Sequence, residues 1–259
     1  MNILIVTQDE PFYLPKFFMK FLNDIPHEIK GIVLLKPFNE NLLKTAKRVY
    51  NLYGPLFFVL IGLKFIIFKF LDKINIYLNL TQPKSIRDLA KRKKIPIFEP
   101  KNINSRKFLS YIRTQINPDL ICSIAASQIF KREILSLPKY GCINIHSGPL
   151  PRYRGMLPCF WVLYNKEKET AVTVHYMNEN LDDGDIILQK KIIINDRESL
   201  DSLIRKTKSI GAEVLIEAID LIDKRKVKPI KNDKSKATYY SFPKRKDVIN
   251  FKRLGGKII

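Results

Sequence analysis

Two short runs decide the fold: Leu120-Ile121-Cys122-Ser123-Ile124-Ala125 and Cys142-Ile143-Asn144-Ile145-His146. Both are almost continuously apolar. A strand with one wet face alternates apolar and polar residues, whereas a strand covered on both faces does not, and parallel sheets are covered on both faces. Working outward, residues 3–7 and 28–35 read as two earlier strands of the same kind, and 95–98 as a short strand beside Pro96 and Pro100. Residues 14–22, 85–94 and 104–116 read as helices, the last with Asn104 or Ser105 as its cap. Strands separated by helices imply βαβ units: an α/β protein with a mostly parallel sheet and helices on both faces. After residue 170 the texture changes. Residues 171–177 and 186–194 are β-rich runs joined across Asp183-Gly184, a hairpin-like extension. A long C-terminal helix over 200–225 follows, with Leu203, Ile204, Ile210, Val214, Leu215, Ala218, Ile219 and Ile222 at helical spacing. The expected organisation is a body over 1–195, with an apolar insertion at about 49–80, and a helix and basic tail over 196–259 packed on the same domain.

Composition narrows the class. With 259 residues and 46% apolar side chains, the chain has enough material for a buried core and is not a disordered one. The charge of +21 favours anionic partners: nucleic acid, acidic lipid surfaces, or phosphorylated and carboxylated small molecules. The lysines are spread along the whole chain, so simple compositional bias accounts for the charge equally well. Cys122, Cys142 and Cys159 have neither metal-site nor redox spacing, which fits a reducing compartment. Met1 to Glu10 has no basic start and too short an apolar run for a signal peptide, so a cytoplasmic location is expected.

The insertion is unusual. Its longest uncharged stretch, 49–63, contains Gly54-Pro55 and is shorter than the ~18–20 residues needed to span a bilayer. Beyond it, Lys64, Lys69 and Lys73 fall within one half of a helical wheel, while Ile66, Ile67, Phe70, Leu71 and Ile74 lie mainly on the other. Two readings stay open. One is a helix packed on the domain; the other is a helix lying on an anionic membrane surface or gripping a greasy acceptor.

The residues richest in chemistry run from Gly141 to Gly155. Ligands of parallel α/β sheets bind outside the carboxyl ends of the strands, and Asn144 and His146 sit two apart at such an end, so their side chains share a face. Gly148, Pro149 and Pro151 then break the strand into a fixed loop. An amide can donate to a developing oxyanion, and an imidazole can donate as imidazolium or shuttle a proton. A strand-end hydrogen bonder and a satisfied half-buried histidine explain the same two residues without function. The second group is Leu181-Asp182-Asp183-Gly184-Asp185. No nearby His or Cys completes a metal set, and calcium-loop spacing is absent, so no metal is expected. The run is either a solvated turn or the source of a carboxylate beside His146.

Asn144-Ile145-His146, the loop Pro149-Leu150-Pro151-Arg152-Tyr153-Arg154-Gly155, and Leu181 to Asp185 occur here in an order and at a spacing that resemble the formyltransferases using 10-formyltetrahydrofolate. That family includes glycinamide ribonucleotide, methionyl-tRNA and sugar-nucleotide N-formyltransferases. The resemblance covers about 85–195 and, more weakly, the first strand. It implies a Rossmann-like formyltransferase fold and an enzyme whose catalytic trio is Asn144, His146 and Asp182. It implies 10-formyltetrahydrofolate as co-substrate, with the backbone of Ser127, Gln128, Ile129 and Phe130 against the pterin and Asn178 and Leu181 in a loop closing the other side. The implied acceptor is a primary amine, taken here as a nucleotide- or lipid-linked amino sugar. Methionyl-tRNA is the alternative, and the tRNA-modifying members append a further domain for which the residues after 195 leave little room. An inactive RNA- or membrane-binding relative is the competing class, and a formyltetrahydrofolate hydrolase shares the trio. Two departures stand out. Ser147-Gly148-Pro149-Leu150-Pro151 replaces the usual Ser-Leu-Leu-Pro, and Thr7-Gln8-Asp9-Glu10-Pro11 has no glycine where the family's first loop does. Without that glycine-rich nest neither a phosphate nor a nicotinamide dinucleotide is expected at this loop.

Overall fold

The first strand, β1 (Asn2–Gln8), is buried on both sides of its pleat: Ile3 and Ile5 enter one apolar cluster, Leu4 and Val6 another. This is the property expected of a central parallel strand. The computed structural model describes residues 1–259, the side chain of Phe38 aside. After β1 come α1 (Leu14–Asp24), β2 (Glu28–Leu35), α2 (Leu42–Tyr53), α3 (Pro55–Leu78), α4 (Ile86–Arg92), β3 (Ile97–Phe98), α5 (Arg106–Tyr111), β4 (Leu120–Ile124), α6 (Arg132–Leu135) and β5 (Cys142–His146). The second part holds β6 (Arg154–Gly155), α7 (Pro158–Tyr164), β7 (Glu169–Tyr176), β8 (Ile186–Ile193), α8 (Leu200–Asp223), β9 (Tyr239–Tyr240) and α9 (Arg245–Arg253).

Seven strands form one sheet in the order β3-β2-β1-β4-β5-β7-β8. The first five run parallel; β7 returns antiparallel to β5, and β8 antiparallel to β7. The chain is therefore α/β with a mostly parallel sheet, as its strands foretell. Helices α1, α4 and α8 cover one face, while α5 and α6 cover the other. A third cluster joins α7, α9 and the start of α8 beyond the sheet. The Ser199 hydroxyl starts α8 by accepting from the Ser202 N–H at 3.2 Å. A Cβ at Gly211, midway along α8, would come within 3.0 Å of the Ile145 methyl, so the missing side chain lets the helix lie directly on β5.

Several local expectations change. The helix expected over 104–116 stops at Tyr111 and widens into a π turn, Ile112–Ile116. Ile112 and Ile116 both stay buried that way, and the left-handed Asn117 before Pro118 ends the turn. Ser105 occupies the cap position but makes no side-chain cap bond. Helices α2, α7 and α9 have no counterpart in the sequence reading; α7 is short, and most of α9 faces water.

The insertion is where packing departs most from a soluble-helix pattern. Residues 49–80 form the end of α2, a bend at Gly54 (φ 84°) and the whole of α3. Among the described residues of α3 only Asp72 and Asn75 are fully buried, and many of its large apolar side chains, among them Leu56, Leu60, Leu63, Ile67 and Phe70, face outward. The helix rests on the domain through buried Asp72 and Asn75 and through the partly buried Phe58, Ile61, Phe68 and Ile76 on the same side.

Candidate active site

Register builds the site. Antiparallel pairing of β5 and β7 sets Asn144 opposite His175 and His146 opposite Thr173. In β5, Ile143 and Ile145 point into the core beneath α8, so Asn144 and His146 share the opposite face at the strand's carboxyl end. Asp182 reaches the same point from the β7–β8 connection, where its left-handed backbone (φ 51°) turns the chain back.

Four side chains meet there. The Asn144 amide donates to His175 Nε2 at 3.1 Å, with a longer contact to Asp182 Oδ1 at 3.5 Å. His175 Nδ1 donates to the Tyr176 carbonyl at 2.7 Å. That bond leaves Nε2 as the acceptor and so fixes which end of the Asn144 side chain is the NH2 group. His146 Nε2 donates to the Tyr153 carbonyl at 2.8 Å, and its Nδ1 faces Asp182 Oδ2 at 3.6 Å. Asp182 Oδ2 also accepts the Gly155 N–H at 2.8 Å.

The electrostatics follow from burial and partners. Burial opposes ionisation of Asp182, but attraction to positive charge on the imidazoles it faces, His146 first, and the Gly155 N–H hold its carboxyl below the usual carboxylate range. Burial holds His146 below the ordinary imidazole value, with Asp182 and the Tyr153 carbonyl pulling the other way. The resting pair is therefore an ionised carboxylate beside an imidazole that resists charging. Of the two roles open to His146, this environment favours receiving a proton over holding one permanently. Asn144 is half-buried, and its second N–H has only the long contact to Asp182, so it is available to an oxygen arriving from outside.

The surroundings lock this arrangement. A Cβ at Gly148 would lie 2.9 Å from both His146 Nε2 and Pro158, so a side chain here would displace one of them. Thr173 Oγ1 donates to the Gly148 carbonyl at 2.7 Å, and Gln189 Nε2 donates to the Leu150 carbonyl at 2.9 Å. Asp183 pairs with buried Arg154 at 2.6 Å and with Lys234 at 3.0 Å. Asn232 accepts from Arg154 at 2.8 Å and donates to the carbonyls of Asp182 and Gly184, both at 2.9 Å. A Cβ at Gly184 would strike the Tyr176 carbonyl at 1.9 Å. The Asp-Asp-Gly run is thus a buried clamp rather than a solvated turn.

The residues expected around the pterin divide. Ile129 and Phe130 line an open hollow of about 470 Å³ together with Lys131, Arg132 and, from the 178–182 loop, Glu179. That volume lies in the range of small-molecule sites. The side chains of Ser127 and Gln128 brace neighbouring loops: Ser127 Oγ donates to the Lys36 carbonyl at 2.6 Å, and Gln128 bonds the Ile103 N–H and the Lys101 carbonyl. Asn178 bonds within its own loop, to the Asn180 N–H and Asp183, and Leu181 is exposed. Among the described residues no group of three His, Cys, Asp or Glu side chains is placed to hold a metal. At the first loop, the Glu10 carboxylate accepts the N–H groups of Phe12, Tyr13 and Leu14 at 2.7, 2.8 and 3.0 Å. The chain's own carboxylate fills the anion position at the start of α1.

The sequence reading missed His175, Arg154 and Asn232. His175 had a usable signal: a strand folding back antiparallel on 142–146 brings a third-strand residue beside Asn144, and His175 is one of only three histidines. Asn232 had none, because it comes from a tail without periodicity.

A family model described as "Formyl transferase" matches residues 72–219, more than half of the chain. A methionyl-tRNA formyltransferase of Caldanaerobacter subterraneus subsp. tengcongensis is 37% identical over 155 residues, covering 60% of this chain and 50% of the relative. The chain spans about half the length of the curated relatives it matches. Among solved structures, a sugar N-formyltransferase from a Shewanella species superposes with a TM-score of 0.59 at 19% identity, covering 93% of this chain and 76% of that one. A sugar 3N-formyltransferase solved with dTDP and 5-N-formyl-THF gives 0.59 at 18%, over 93% and 69%. These likenesses show a common fold.

Proposed function

Because the chain belongs to the formyl transferase family, we propose that it moves a formyl group from 10-formyltetrahydrofolate to a primary amine. The observation that carries this reading is the half-exposed Asn144 amide, anchored to His175 and backed by the buried Asp182–His146 pair. Bound 10-formyltetrahydrofolate supplies an electrophilic formyl carbon on N10. The second Asn144 N–H stabilises the formyl oxygen as the amine nitrogen bonds to that carbon and charge develops. The pair formed by His146 Nδ1 and the ionised Asp182 that faces it receives the proton the amine loses. The same pair returns a proton to N10 as the C–N10 bond breaks. The hollow between Ile129–Arg132 and Glu179 has the size, and in Lys131 and Arg132 the charge, for a folate with its carboxylate tail. The sugar 3N-formyltransferase solved with 5-N-formyl-THF supports the same co-substrate.

For the acceptor we propose an amino sugar. Glu10 occupies the α1 N-terminus, which supports an acceptor that sets no phosphate at that loop. Methionyl-tRNA is the second reading, favoured by relatives 37–41% identical that are methionyl-tRNA formyltransferases. Incubation with 10-formyltetrahydrofolate and, in parallel, amino-sugar nucleotides and methionyl-tRNA separates them by mass spectrometry. The expected result is the mass gain of one CO on an amino-sugar nucleotide. Formylation of methionyl-tRNA alone selects the second reading, and formylation of neither class contradicts the acceptor chemistry.

A further inference from the structure

Helix α3 leaves one apolar face in water while its fully buried positions are polar. Its buried residues are Asp72 and Asn75. Asn75 Nδ2 donates to Asp88 Oδ2 at 2.5 Å and to the Gln82 carbonyl at 3.2 Å, and its Oδ1 accepts the Thr81 N–H at 2.8 Å. One turn earlier, Lys69 Nζ bonds Asp9 Oδ2 at 3.0 Å, tying the helix to the loop after β1. The opposite side carries Leu56, Leu60, Leu63, Ile67 and Phe70 at three- and four-residue spacing, each more than half exposed. Lys64 and Lys73, both exposed, stand to either side of this stripe. A soluble surface seldom leaves so continuous an apolar face uncovered.

We propose that this stripe is a docking surface for an anionic lipid bilayer, on which α3 lies flat. Charge complementarity selects this occupant. The stripe is apolar, its flanking charges are both positive, and the chain as a whole carries +21. Lysines beside an apolar stripe keep their stems along it and their ammonium groups at headgroup level. A second copy of the chain is a poor occupant. The only acidic residue of α3 is Asp72, which is buried, so the helix offers nothing to pair with its twin's Lys64 and Lys73. Spanning is not available either, since no helix among the described residues is long and apolar enough to cross a membrane. At a rise of about 1.5 Å per residue, the stripe from Leu56 to Phe70 is about 22 Å long.

Co-sedimentation of the full chain with vesicles tests this. Vesicles of phosphatidylcholine mixed with phosphatidylglycerol should carry the protein down at least about tenfold more effectively than phosphatidylcholine alone, and added salt should weaken the binding. Joint replacement Leu60→Ser, Leu63→Ser, Ile67→Ser and Phe70→Ser should abolish it while circular dichroism and the thermal midpoint stay unchanged. Lys64→Ala with Lys73→Ala should lower partitioning to the mixed vesicles by about thirtyfold and leave the weak binding to neutral vesicles alone. Binding that survives the serine substitutions overturns the proposal. So does absence of vesicle binding with a dimer, seen by light scattering, that the same substitutions dissolve.

Discussion

The carboxyl end of β5 and the outer face of α3 treat side chains in opposite ways. At β5, ionisable and amide groups are taken out of water, and each is met by a partner at fixed distance: Asn144 by His175, His146 by the Tyr153 carbonyl, Asp182 by the Gly155 N–H. Along the outer stripe of α3, Leu56, Leu60, Leu63, Ile67 and Phe70 are left largely in water, while the fully buried residues of the helix, Asp72 and Asn75, are polar. The first arrangement costs desolvation and is held by a network; it makes sense where a fixed geometry must be kept. The second forgoes burial of apolar area at about 25 cal/mol per Å², which makes sense where that area is completed by something outside the fold. The same chain thus spends stability in two places, for two kinds of recognition.

Substitutions can break this comparison, and the largest effects should come from the core under the site. Phe18 is fully buried, and Phe18→Ala should cost about 3–5 kcal/mol in chemical denaturation. Asp183→Ala, which leaves buried Arg154 without its carboxylate, should cost about 3 kcal/mol or more. A loss under about 1 kcal/mol would show that the clamp on the Asp182 loop is not held by this pair.

The pH dependence sharpens the account at Asp182. Its carboxyl is held low in the folded chain, so its contribution to stability is fully present above the unfolded-state value near pH 4 and is lost as pH falls through the lower folded value. Asp182→Asn deletes that contribution. The gap in stability between wild type and Asp182→Asn should be constant above about pH 5 and close on acidification below about pH 4. A gap that widens on acidification contradicts the ionised resting state. At the small end, Phe70→Ala removes the same ring as Phe18→Ala from a side chain 65% exposed, and should change stability by less than about 0.5 kcal/mol. A loss near that of Phe18→Ala would mean that α3 packs its apolar face after all.

What was legible in the sequence follows the same division. The parallel sheet could be read because Leu120 to Ile124 and Cys142 to His146 are apolar on both faces, a local property. That Asn144 and His146 share a face at a strand end could be read locally, whereas Asp182 was singled out from Asp183 and Asp185 by resemblance. His175 was not read, because its place beside Asn144 depends on antiparallel register between distant strands. Arg154, Asp183 and Asn232 form their clamp across three separate stretches, and no local pattern encodes that. The segment Ser127 to Phe130 was assigned by resemblance to meet the pterin with its backbone, and the bracing of neighbouring loops by the Ser127 and Gln128 side chains had no local signature. The outward face of α3 was left open between two readings because a helical wheel gives the sides of a helix but not which side the fold covers.

The central claim is that the β5 cluster carries out formyl transfer, and the turnover of Asn144→Ala tests it most directly. Wild type and variant would be compared with 10-formyltetrahydrofolate and whichever amine wild type formylates, following formylated product by mass spectrometry, after circular dichroism shows both to be folded. Loss of the donor to the formyl oxygen should lower kcat by about 100-fold or more, with folate binding retained. A folded Asn144→Ala variant that turns over at close to the wild-type rate would contradict the account.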